Sequence, residues 1–478
     1  MGLLEFPWKR QNSDPSPPQI MYRAWDPCQP TLGFQIESCW RRLRFSGQSS
    51  LMKPVLWSFL TLLAVSCCSA ENWPQYRGPS GQGHSSEIHV PWQWSSDSNL
   101  VWKVQTGVDG WSSPIVWGNR VFLTGTRAAG ASCHVLCLDA KSGSVIWDTH
   151  VFDQVTRRKE GKNSYATPTP TTDGERIYSV FGDGSMVAVD FKGSVVWTHR
   201  SVEFYSRHGL SSSPVVRDGI LVMAYDGSNR VTAAGNFPNV SNDEKLGWQI
   251  PWDKAFVVGV DAKTGRELWR TPRGKSRVSH LTPLFVTEQG KTQVISCAGD
   301  AAQGFDLKTG ARIWTAYNQG EGVTPNPALG DGLLFTSSGF EKTTLRAFKL
   351  GGEGDVSASH VAWEQRKGCP TQPALLHLKP HLHTITDGGI AHCYRATTGE
   401  ILYSERVGGN FCTSPLYANG RIYFLAEDGV TTVVAEGPEF RILSRNSLNG
   451  ERAQASMAVS EGKVFIRTEK TLWCIGNR

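Results

Sequence analysis

The stretch LDAKSGSVIW (residues 138–147) recurs along the chain in a nearly constant frame. Later copies are VDFKGSVVW, VDAKTGRELW and FDLKTGARIW, which end at Trp197, Trp269 and Trp314. Each copy contains an Asp, a turn with Gly, and a Trp. Asp and Ser/Thr side chains can hydrogen-bond a turn backbone, and Gly supplies a positive φ. The frame therefore predicts a β-hairpin whose second strand carries the Trp.

A second pattern opens each of these units. It consists of Ser/Thr and Pro, or Asn/Gln and Pro, followed by an apolar, β-rich run with a polar turn. The opening residues are Pro114, Pro170, Pro214, Pro283, Pro327, Pro373 and Pro415, with Met457 in the eighth place. They are 56, 44, 69, 44, 46, 42 and 42 residues apart. Four short strands fit such a step, and Pro is tolerated at the start of an inner strand, so each unit is typical of a propeller blade.

The outer strand of each unit carries an aromatic or apolar anchor. We interpret the Trp residues as structural docking residues that bury a large ring between blades, with weaker equivalents at Tyr403 and Leu443. Because the eighth unit has no outer strand of its own, we expect NLVWKV (residues 99–104) to supply it. The docking residues are Trp102, Trp147, Trp197, Trp269, Trp314 and Trp363.

These patterns predict an all-β fold, an eight-bladed β-propeller of four-stranded antiparallel blades over residues 99–478. The N-terminal strand closes the ring, which removes exposed sheet edges. A small residue stands two positions before each Asp of the frame, as at Ala188 and Gly259. We expect it to receive a Trp ring from a neighbouring sheet.

The sequence before the propeller divides into three segments. Residues 52–70 (MKPVLWSFLTLLAVSCCSA) have the basic start, short apolar run and small-residue end of a secretory signal peptide. The apolar run is too short to span a bilayer; the alternative is a buried strand or helix. Residues 1–51 have no sustained periodicity, and we interpret them as an extension upstream of the true start at Met52. Residues 71–98 form a leader segment.

Two processing routes are open for the signal segment. Cleavage after Ala70 gives a soluble exported protein. LAVSC (residues 63–67) also resembles a bacterial lipobox, in which Cys67 would be lipidated and become the mature N-terminus. Both routes predict a place outside the cytoplasm: the periplasm, the outer membrane, or the medium.

Charge and cysteine content exclude some classes of function. From residue 71 on there are 42 Lys/Arg and 39 Asp/Glu with no basic block, so nucleic acid is not an expected partner. The seven cysteines after Ala70 are an odd number without a CxxC, so a fully paired disulfide framework is not expected.

The frame small-x-Asp-x-x-Thr/Ser-Gly-x-x-x-Trp resembles the tryptophan-docking repeat of the pyrroloquinoline quinone (PQQ) propeller superfamily. The leader ENWPQYRGPSGQG (residues 71–83) resembles the opening of many exported PQQ-like repeat proteins. The resemblance implies one of two functions. Quinoprotein alcohol dehydrogenase-like members bind PQQ and calcium and oxidise alcohols or sugars, whereas BamB-like members (after the B lipoprotein of the outer-membrane β-barrel assembly machinery) act through protein contacts.

The residues favour binding over catalysis. Several quinoprotein dehydrogenases have an adjacent-cysteine disulfide beside the cofactor, but the only adjacent pair here is Cys67-Cys68, inside the signal segment. No stretch matches the family's calcium ligands, and a haem-binding CxxCH is missing. We therefore expect no cofactor, and an exported binding or scaffold module of the bacterial envelope whose partner is an envelope protein or a glycan. The alternatives are a PQQ-dependent oxidoreductase with calcium, and a hydrolase or lyase.

The predicted functional surface is the channel mouth, where the residues that precede the inner strands converge. An aromatic and polar ring at a propeller axis is typical of a ligand or peptide pocket; the alternative is a channel plugged with ordered water. The candidate binding residues are Trp111, Tyr165, His208, His280, Asn326, Gln372 and Phe411. A long insertion, residues 226–253, could lie over one face as a lid or docking arm.

One histidine cluster raises the question of a metal. HLKPHLH (residues 377–383) holds three histidines, and His392 and Cys393 follow on a nearby strand. Imidazoles and a thiolate could bind zinc or copper. Because LKP stands where a hairpin turn should be, we interpret the cluster as solvated turn residues and expect no metal.

Overall fold

A computed structural model describes residues 71–477, apart from residues 158, 203, 207, 228–253, 275, 289, 318–323 and 339–342. The signal segment, Cys67, residues 1–51 and nearly all of the 226–253 insertion lie outside this part of the chain. In the described residues the strands form eight sheets, each with four antiparallel strands. The predicted eight-bladed propeller is confirmed. Within the described ranges, no helix is long and apolar enough to cross a membrane.

The blades follow one another along the chain, and the first strands contact each other between blades 1 and 8, 2 and 3, and 5 and 6. From the axis outward, blade 1 contains Ile115–Trp117, Arg120–Arg127, Ser132–Asp139 and Val145–Asp153; blade 2 contains Thr171–Thr172, Arg176–Val180, Met186–Asp190 and Val195–His199; blade 3 contains Val215–Arg217, Ile220–Tyr225, Phe256–Asp261 and Glu267–Pro272; and blade 4 contains Leu284–Glu288, Lys291–Cys297, Ala301–Asp306 and Arg312–Tyr317. Blade 5 contains Ala328–Gly330, Leu333–Ser337, Leu345–Lys349 and Val361–Gln365; blade 6 contains Leu376–Leu378, His381–Ile385, Ile390–Arg395 and Ile401–Arg406; blade 7 contains Leu416–Ala418, Arg421–Leu425, Val430–Ala435 and Ile442–Ser447; and blade 8 contains Ala458–Ser460, Lys463–Arg467, Thr471–Gly476 and Leu100–Gln105.

Small elements extend this plan. His84–Ser85 pairs in parallel with the first strand of blade 7, and Gly354–Asp355 pairs in parallel with the last strand of blade 4. A short 3-10 helix, Ala128–Gly130, lies between the second and third strands of blade 1.

The ring closes as the sequence predicts. Leu100–Gln105 pairs antiparallel with Thr471–Gly476, with Trp102 opposite Cys474. The outermost strand of the last blade therefore comes from the N-terminal side of the chain, and the sheet joins the two ends of the propeller.

The recurring frame joins each blade to the next. Trp197 of blade 2 lies over Gly265 in the Asp-x-x-Thr-Gly turn of blade 3, and its Nε1 donates a hydrogen bond to the Ala262 carbonyl at 3.0 Å. Four other docking residues make the same bond to the following blade: Trp102 to Ala140 (3.1 Å), Trp147 to Phe191 (3.1 Å), Trp269 to Leu307 (3.0 Å) and Trp363 to Ala396 (2.8 Å). The turn on one blade is thus the docking place for the Trp of the blade before it.

The Asp of the frame holds that turn in shape. Oδ1 of Asp261 accepts hydrogen bonds from the backbone N–H and the hydroxyl of Thr264, at 2.7 and 2.8 Å. The Thr264 hydroxyl and backbone bonds lower the pKa of Asp261. Because the folded state favours the carboxylate, this contribution to stability is present at neutral pH and is lost as the pH falls through the lowered pKa.

Two details differ from the sequence prediction. The small residue before each Asp lies opposite the Trp of its own sheet, not of a neighbouring one: Ala188 is opposite Trp197, and Gly259 is opposite Trp269. Trp314 does not dock on the next blade in the common way, because blade 5 lacks the Asp-x-x-Thr-Gly turn. Its Nε1 donates to Gln293 of its own blade at 3.1 Å.

We predict that Gly265→Ala destabilises the protein more than Gly219→Ala. Both glycines have φ of 74°, so each substitution carries a strain of about 1–2 kcal/mol. A Cβ at Gly219 meets nothing within 4 Å, whereas one at Gly265 would lie 2.6 Å from the Trp197 ring. Displacing that ring should cost a further ~1–3 kcal/mol in urea unfolding. Equal losses for the two variants would contradict close docking.

We also predict that Trp102→Ala lowers the stability of the whole propeller, because this side chain anchors the closing strand. Removing a buried Trp typically costs about 3–5 kcal/mol. Thermal unfolding should remain a single transition at lower temperature. Tyr317→Ala, at a 58% exposed position on an outer strand, is the control. A Trp102→Ala variant as stable as the control would argue against closure by this strand.

Candidate functional site

The leader segment closes one end of the axial channel. Trp73 exchanges two backbone hydrogen bonds with Val116 in blade 1, and the Pro74 carbonyl accepts from Thr172 in blade 2. On the far side of the ring, the Gly83 carbonyl accepts from Tyr417 in blade 7. These partners lie in the innermost strands of their blades. They stand after the first residue of each strand, away from the residues that precede the strand in the sequence. The segment therefore crosses the channel at one end and leaves the other end as the mouth.

Arg77 fastens this crossing segment from inside. Its Nη1 donates to the Pro327 carbonyl at 3.3 Å, and its Nη2 donates to the carbonyls of Gln82 and Leu375. Burial lowers the pKa of Arg77 to about 10, so the guanidinium stays charged at neutral pH. One side chain thus ties the leader to two blades, and the sequence resemblance of the leader has a structural explanation.

A circuit of hydrogen bonds surrounds the channel at its mouth. In six of the eight blades, the residue before the inner-strand Pro, or before Met457 in blade 8, donates its backbone N–H to the side chain at the same position in the next blade. The links are Ser113 to Thr169 (2.9 Å), Thr169 to Ser213 (2.9 Å), Ser213 to Thr282 (3.1 Å), Thr282 to Asn326 (2.9 Å), Ser414 to Ser456 (2.9 Å) and Ser456 to Ser113 (2.9 Å). This circuit explains why hydroxyl and amide residues precede the Pro.

Blade 6 departs from the circuit. The backbone N–H and the side-chain amide of Gln372 both donate to Asp387, at 3.0 and 2.8 Å. Asn326 instead accepts at its carbonyl from Leu375, at 3.0 Å. The mouth is therefore asymmetric on the side of blades 5 and 6.

A cavity of about 660 Å³ occupies the channel at this level. Five of the seven predicted binding residues line it: Trp111, His208, His280, Asn326 and Gln372. Tyr76 of the leader also contributes to the wall, and its hydroxyl hydrogen-bonds Ser414 at 2.7 Å. Lys162, Glu160, Cys412 and Arg452 line the same cavity, and the sequence analysis did not single them out.

The other two predicted residues lie elsewhere. Tyr165 lines a separate cavity of about 340 Å³ with Lys159 and Arg200, and its hydroxyl donates to the Arg157 carbonyl at 2.6 Å. Phe411 is buried, 2% exposed, and packs edge-on against Phe424. The sequence prediction placed both residues at the mouth, and this was wrong. The segments that precede the inner strands differ in length, so the same count does not reach the channel in every blade.

Burial shifts the pKa of two titratable side chains in the cavity, His280 and Cys412, toward their neutral forms. Burial lowers the pKa of His280 to about 3, with a further contribution from His208, whose ring is 6.0 Å away. The Nδ1 of His280 hydrogen-bonds Ser211 at 2.8 Å. Burial also raises the pKa of the Cys412 thiol well above its usual value. At the rim the Arg452 guanidinium lies 5.7 Å from the Trp111 ring, in reach of a cation–π contact.

These walls do not fit a PQQ–calcium site. Calcium takes about six to eight oxygen ligands, several of them carboxylates, and Glu160 is the one carboxylate among the described lining residues. The described cysteines are unpaired, and an adjacent pair is missing from residues 71–477. A pair of carboxylates for acid–base hydrolysis is also missing from the described wall.

The base of the long insertion is firmly held. The Arg273 guanidinium makes a bidentate ion pair with Asp226, at 2.6 Å from Nε to Oδ1 and 3.2 Å from Nη2 to Oδ2. Both side chains are buried, and Arg273 also donates to Ser296 and Gln303. The predicted lid role concerns residues outside the described part of the chain.

The blade 6 histidines are not solvated turn residues, which corrects that interpretation. His377, His383 and His392 are buried, and His381 is half-buried. The hairpin turn falls at Lys379 and Pro380, so the flanking histidines belong to strands. His377 bonds Asp331 at 2.9 Å and stacks on Phe335.

Comparison with known families decides the affiliation of the chain. The family described as outer membrane protein assembly factor BamB matches residues 93–351, 253–383 and 379–468. The protein belongs to the BamB family. The matched residues include strands of all eight blades, which agrees with the repeat seen in the sequence.

Solved structures show the same fold. BamB from Moraxella catarrhalis is 14% identical, with a TM-score of 0.53 over 79% of this chain and 97% of its own. The computationally designed Ika8 protein is 12% identical, with a TM-score of 0.56 over 79% of this chain and 99% of its own. Quinohemoprotein alcohol dehydrogenase from Comamonas testosteroni is 13% identical, with a TM-score of 0.43 over 85% of this chain and 81% of its own. No curated protein matches the chain.

Proposed function

We propose that this BamB-family protein is an exported, non-catalytic propeller that acts as a binding or scaffold module of the cell envelope. Its partner is a segment of an envelope protein or a glycan, received at the channel mouth. The observation that carries the proposal is the one-ended cavity: the leader closes one end, and the mouth presents Trp111 among amide, hydroxyl and imidazole groups.

The chemistry of the wall favours binding. A rigid aromatic ring gives apolar contact area at low entropic cost. Amides and hydroxyls give directional hydrogen bonds to a peptide backbone or to sugar hydroxyls. Lys162 and Arg452 add positive charge at the same cavity. A partner with an acidic or hydroxyl-rich segment is complementary to this set.

The proposal of export is supported by the signal segment and by the contacts that bind the start of the leader to the propeller. Glu71 is bound into the propeller, since its carbonyl accepts from Ser460 at 2.7 Å and its side chain accepts from Ser85 at 2.6 Å. Cleavage after Ala70 would preserve every one of these contacts. In the proposed organisation residues 52–70 are the signal peptide, residues 71–98 the leader, and residues 99–478 the propeller, with lipidation of Cys67 as the alternative anchor.

The processing prediction is tested on material exported by a bacterial host. We expect an N-terminus at Glu71, or a lipidated Cys67 at a blocked N-terminus, detected by mass spectrometry. Expression from Met52 should give the same mature chain as expression from Met1. A mature chain that begins upstream of Met52 would contradict the proposed organisation.

The binding prediction is tested with a photo-crosslinking residue, p-benzoylphenylalanine, placed at position 111 or at position 317. Position 111 lines the cavity, whereas Tyr317 lies 58% exposed on the outer strand of blade 4. In cell envelopes we expect discrete crosslinked products from position 111 and none of the same mass from position 317. Trp111→Ala should reduce co-purification of the crosslinked partner at unchanged thermal stability. Crosslinks that do not depend on position would argue against the mouth as the binding surface.

The quinoprotein alternative is tested separately. Purified protein mixed with PQQ and Ca²⁺ should show no bound quinone spectrum and no PQQ-stimulated dye reduction, because the described wall lacks a calcium donor set. Dye reduction that is abolished by Trp111→Ala would instead assign the protein to the oxidoreductases.

A further inference from the structure

Blade 6 contains a compact group of nitrogen and sulfur ligands away from the channel. His381 and His383 stand two residues apart on one strand, so both imidazoles lie on the same face of the sheet. Cys393 is directly opposite His383 on the next strand. The ligand atoms of these three residues all lie within 4.8 Å of one another.

One nitrogen of this group has no hydrogen-bond partner among the described residues. His383 is fully buried, and its Nε2 makes no hydrogen bond in the described part of the chain. Its Nδ1 lies 3.2 Å from the Tyr403 hydroxyl. With the proton on Nδ1, that nitrogen donates to Tyr403, and Nε2 presents a free lone pair. Buried polar atoms are almost always paired, so an unpaired lone pair requires an explanation.

The other blades show that these residues are additions to the repeat. The position of His383, opposite the small residue of the third strand, is aromatic or aliphatic elsewhere: Phe122, Tyr178, Val222, Ile295, Phe335, Tyr423 and Phe465. The docking position opposite Cys393 carries Tyr403, where most blades carry Trp. A purely structural role would be met by an apolar side chain at the position of His383 and by a Trp at the position of Tyr403. Blade 6 instead has an imidazole and a phenol that hydrogen-bond each other.

We propose that His381, His383 and Cys393 form a zinc site on the face of blade 6 that packs against blade 7. This site is independent of the channel mouth and of the proposed partner binding. Two imidazoles and a thiolate are typical zinc ligands, and three protein ligands leave one position of a tetrahedral ion for water. Tyr403 is a positioning residue, since a hydrogen bond to the far nitrogen of a ligating imidazole fixes its tautomer and orientation.

The geometry requires only a small adjustment. Zinc–nitrogen and zinc–sulfur bonds of about 2.0–2.3 Å in a tetrahedron place ligand atoms about 3.3–3.7 Å apart. From separations of at most 4.8 Å, side-chain rotation can close the remaining gap. His381 is half-buried, so the group has a route to solvent, whereas Cys393 and His383 anchor it in the core between blades 6 and 7.

The experiment uses the tag-free full propeller, stripped with a chelator and titrated with Zn²⁺ against a chromophoric competitor. We expect one equivalent of tightly bound zinc and a rise in the temperature of unfolding, because an ion that binds the folded state stabilises it. Substituting Co²⁺ should give the near-ultraviolet thiolate-to-cobalt band that reports a sulfur ligand.

The residues at equivalent positions of the other blades indicate which substitutions the fold should tolerate. Cys393→Ala should fold, since blades 2 and 5 have Ala188 and Ala347 at this position, and it should lose the cobalt–thiolate band and weaken zinc binding by at least about 100-fold. His381→Ala, at a half-buried position, should weaken binding similarly. Tyr403→Phe keeps the ring and should weaken binding by about ten-fold.

The control is Cys474→Ala, which removes a buried thiol from the same position in blade 8, opposite Trp102. It should bind zinc like the original protein. The proposal is overturned if the unaltered protein binds no zinc equivalent. It is also overturned if Cys393→Ala binds zinc as tightly as Cys474→Ala does, which would indicate an adventitious ion on surface histidines. Neither outcome bears on crosslinking at the channel mouth.

Discussion

The contact of a Trp ring with the glycine turn of the next blade is the interaction on which the rest of the structure depends. It buries a large apolar surface, and its indole N–H satisfies a backbone carbonyl of the neighbouring sheet. Because the ring lies directly on the glycine Cα, two sheets approach more closely than side chains would otherwise allow. Trp102 makes this contact from the last blade to the first. Ring closure and blade stacking are therefore one interaction, used repeatedly.

This stacking fixes where the innermost strands begin, and so it builds the mouth. Each blade delivers a hydroxyl or amide residue to the axis, and in six of the eight blades a side chain of the next blade accepts a hydrogen bond from its backbone N–H. The leader then blocks the opposite end, with Arg77 satisfying carbonyls of two blades. The result is a cavity with fixed polar walls and one entrance. In the proposed function, the lining residues outside this circuit, such as Trp111, Lys162 and Arg452, are those that contact the partner.

The fold could be predicted from the sequence because its determinants are local and repeated. Asp, Gly and Trp must each stand at a fixed distance for the hairpin and the docking ring to form. Counting along the repeat also located five residues of the mouth correctly. It placed Tyr165 and Phe411 there wrongly, because the connecting segments differ in length and no periodic pattern marks which side chain turns inward. The position of the leader across the channel could not be predicted, because the leader occurs once and has no repeated pattern. The turn at Lys379 and Pro380 was predicted correctly, but the burial of His383 was missed because a histidine in a strand next to a turn has the same sequence pattern whether its ring is buried or solvated.

The position of the leader has a consequence for the order of folding. Residues 71–105 are made before any blade, yet their partners include Tyr417 in blade 7 and Thr471–Gly476 at the end of the chain. A segment that leaves the ribosome before any complete blade is thus among the last to reach its place. Contacts of such long sequence separation form late and slowly. Until Thr471–Gly476 is made, Leu100–Gln105 has no strand to pair with, and the ring stays open.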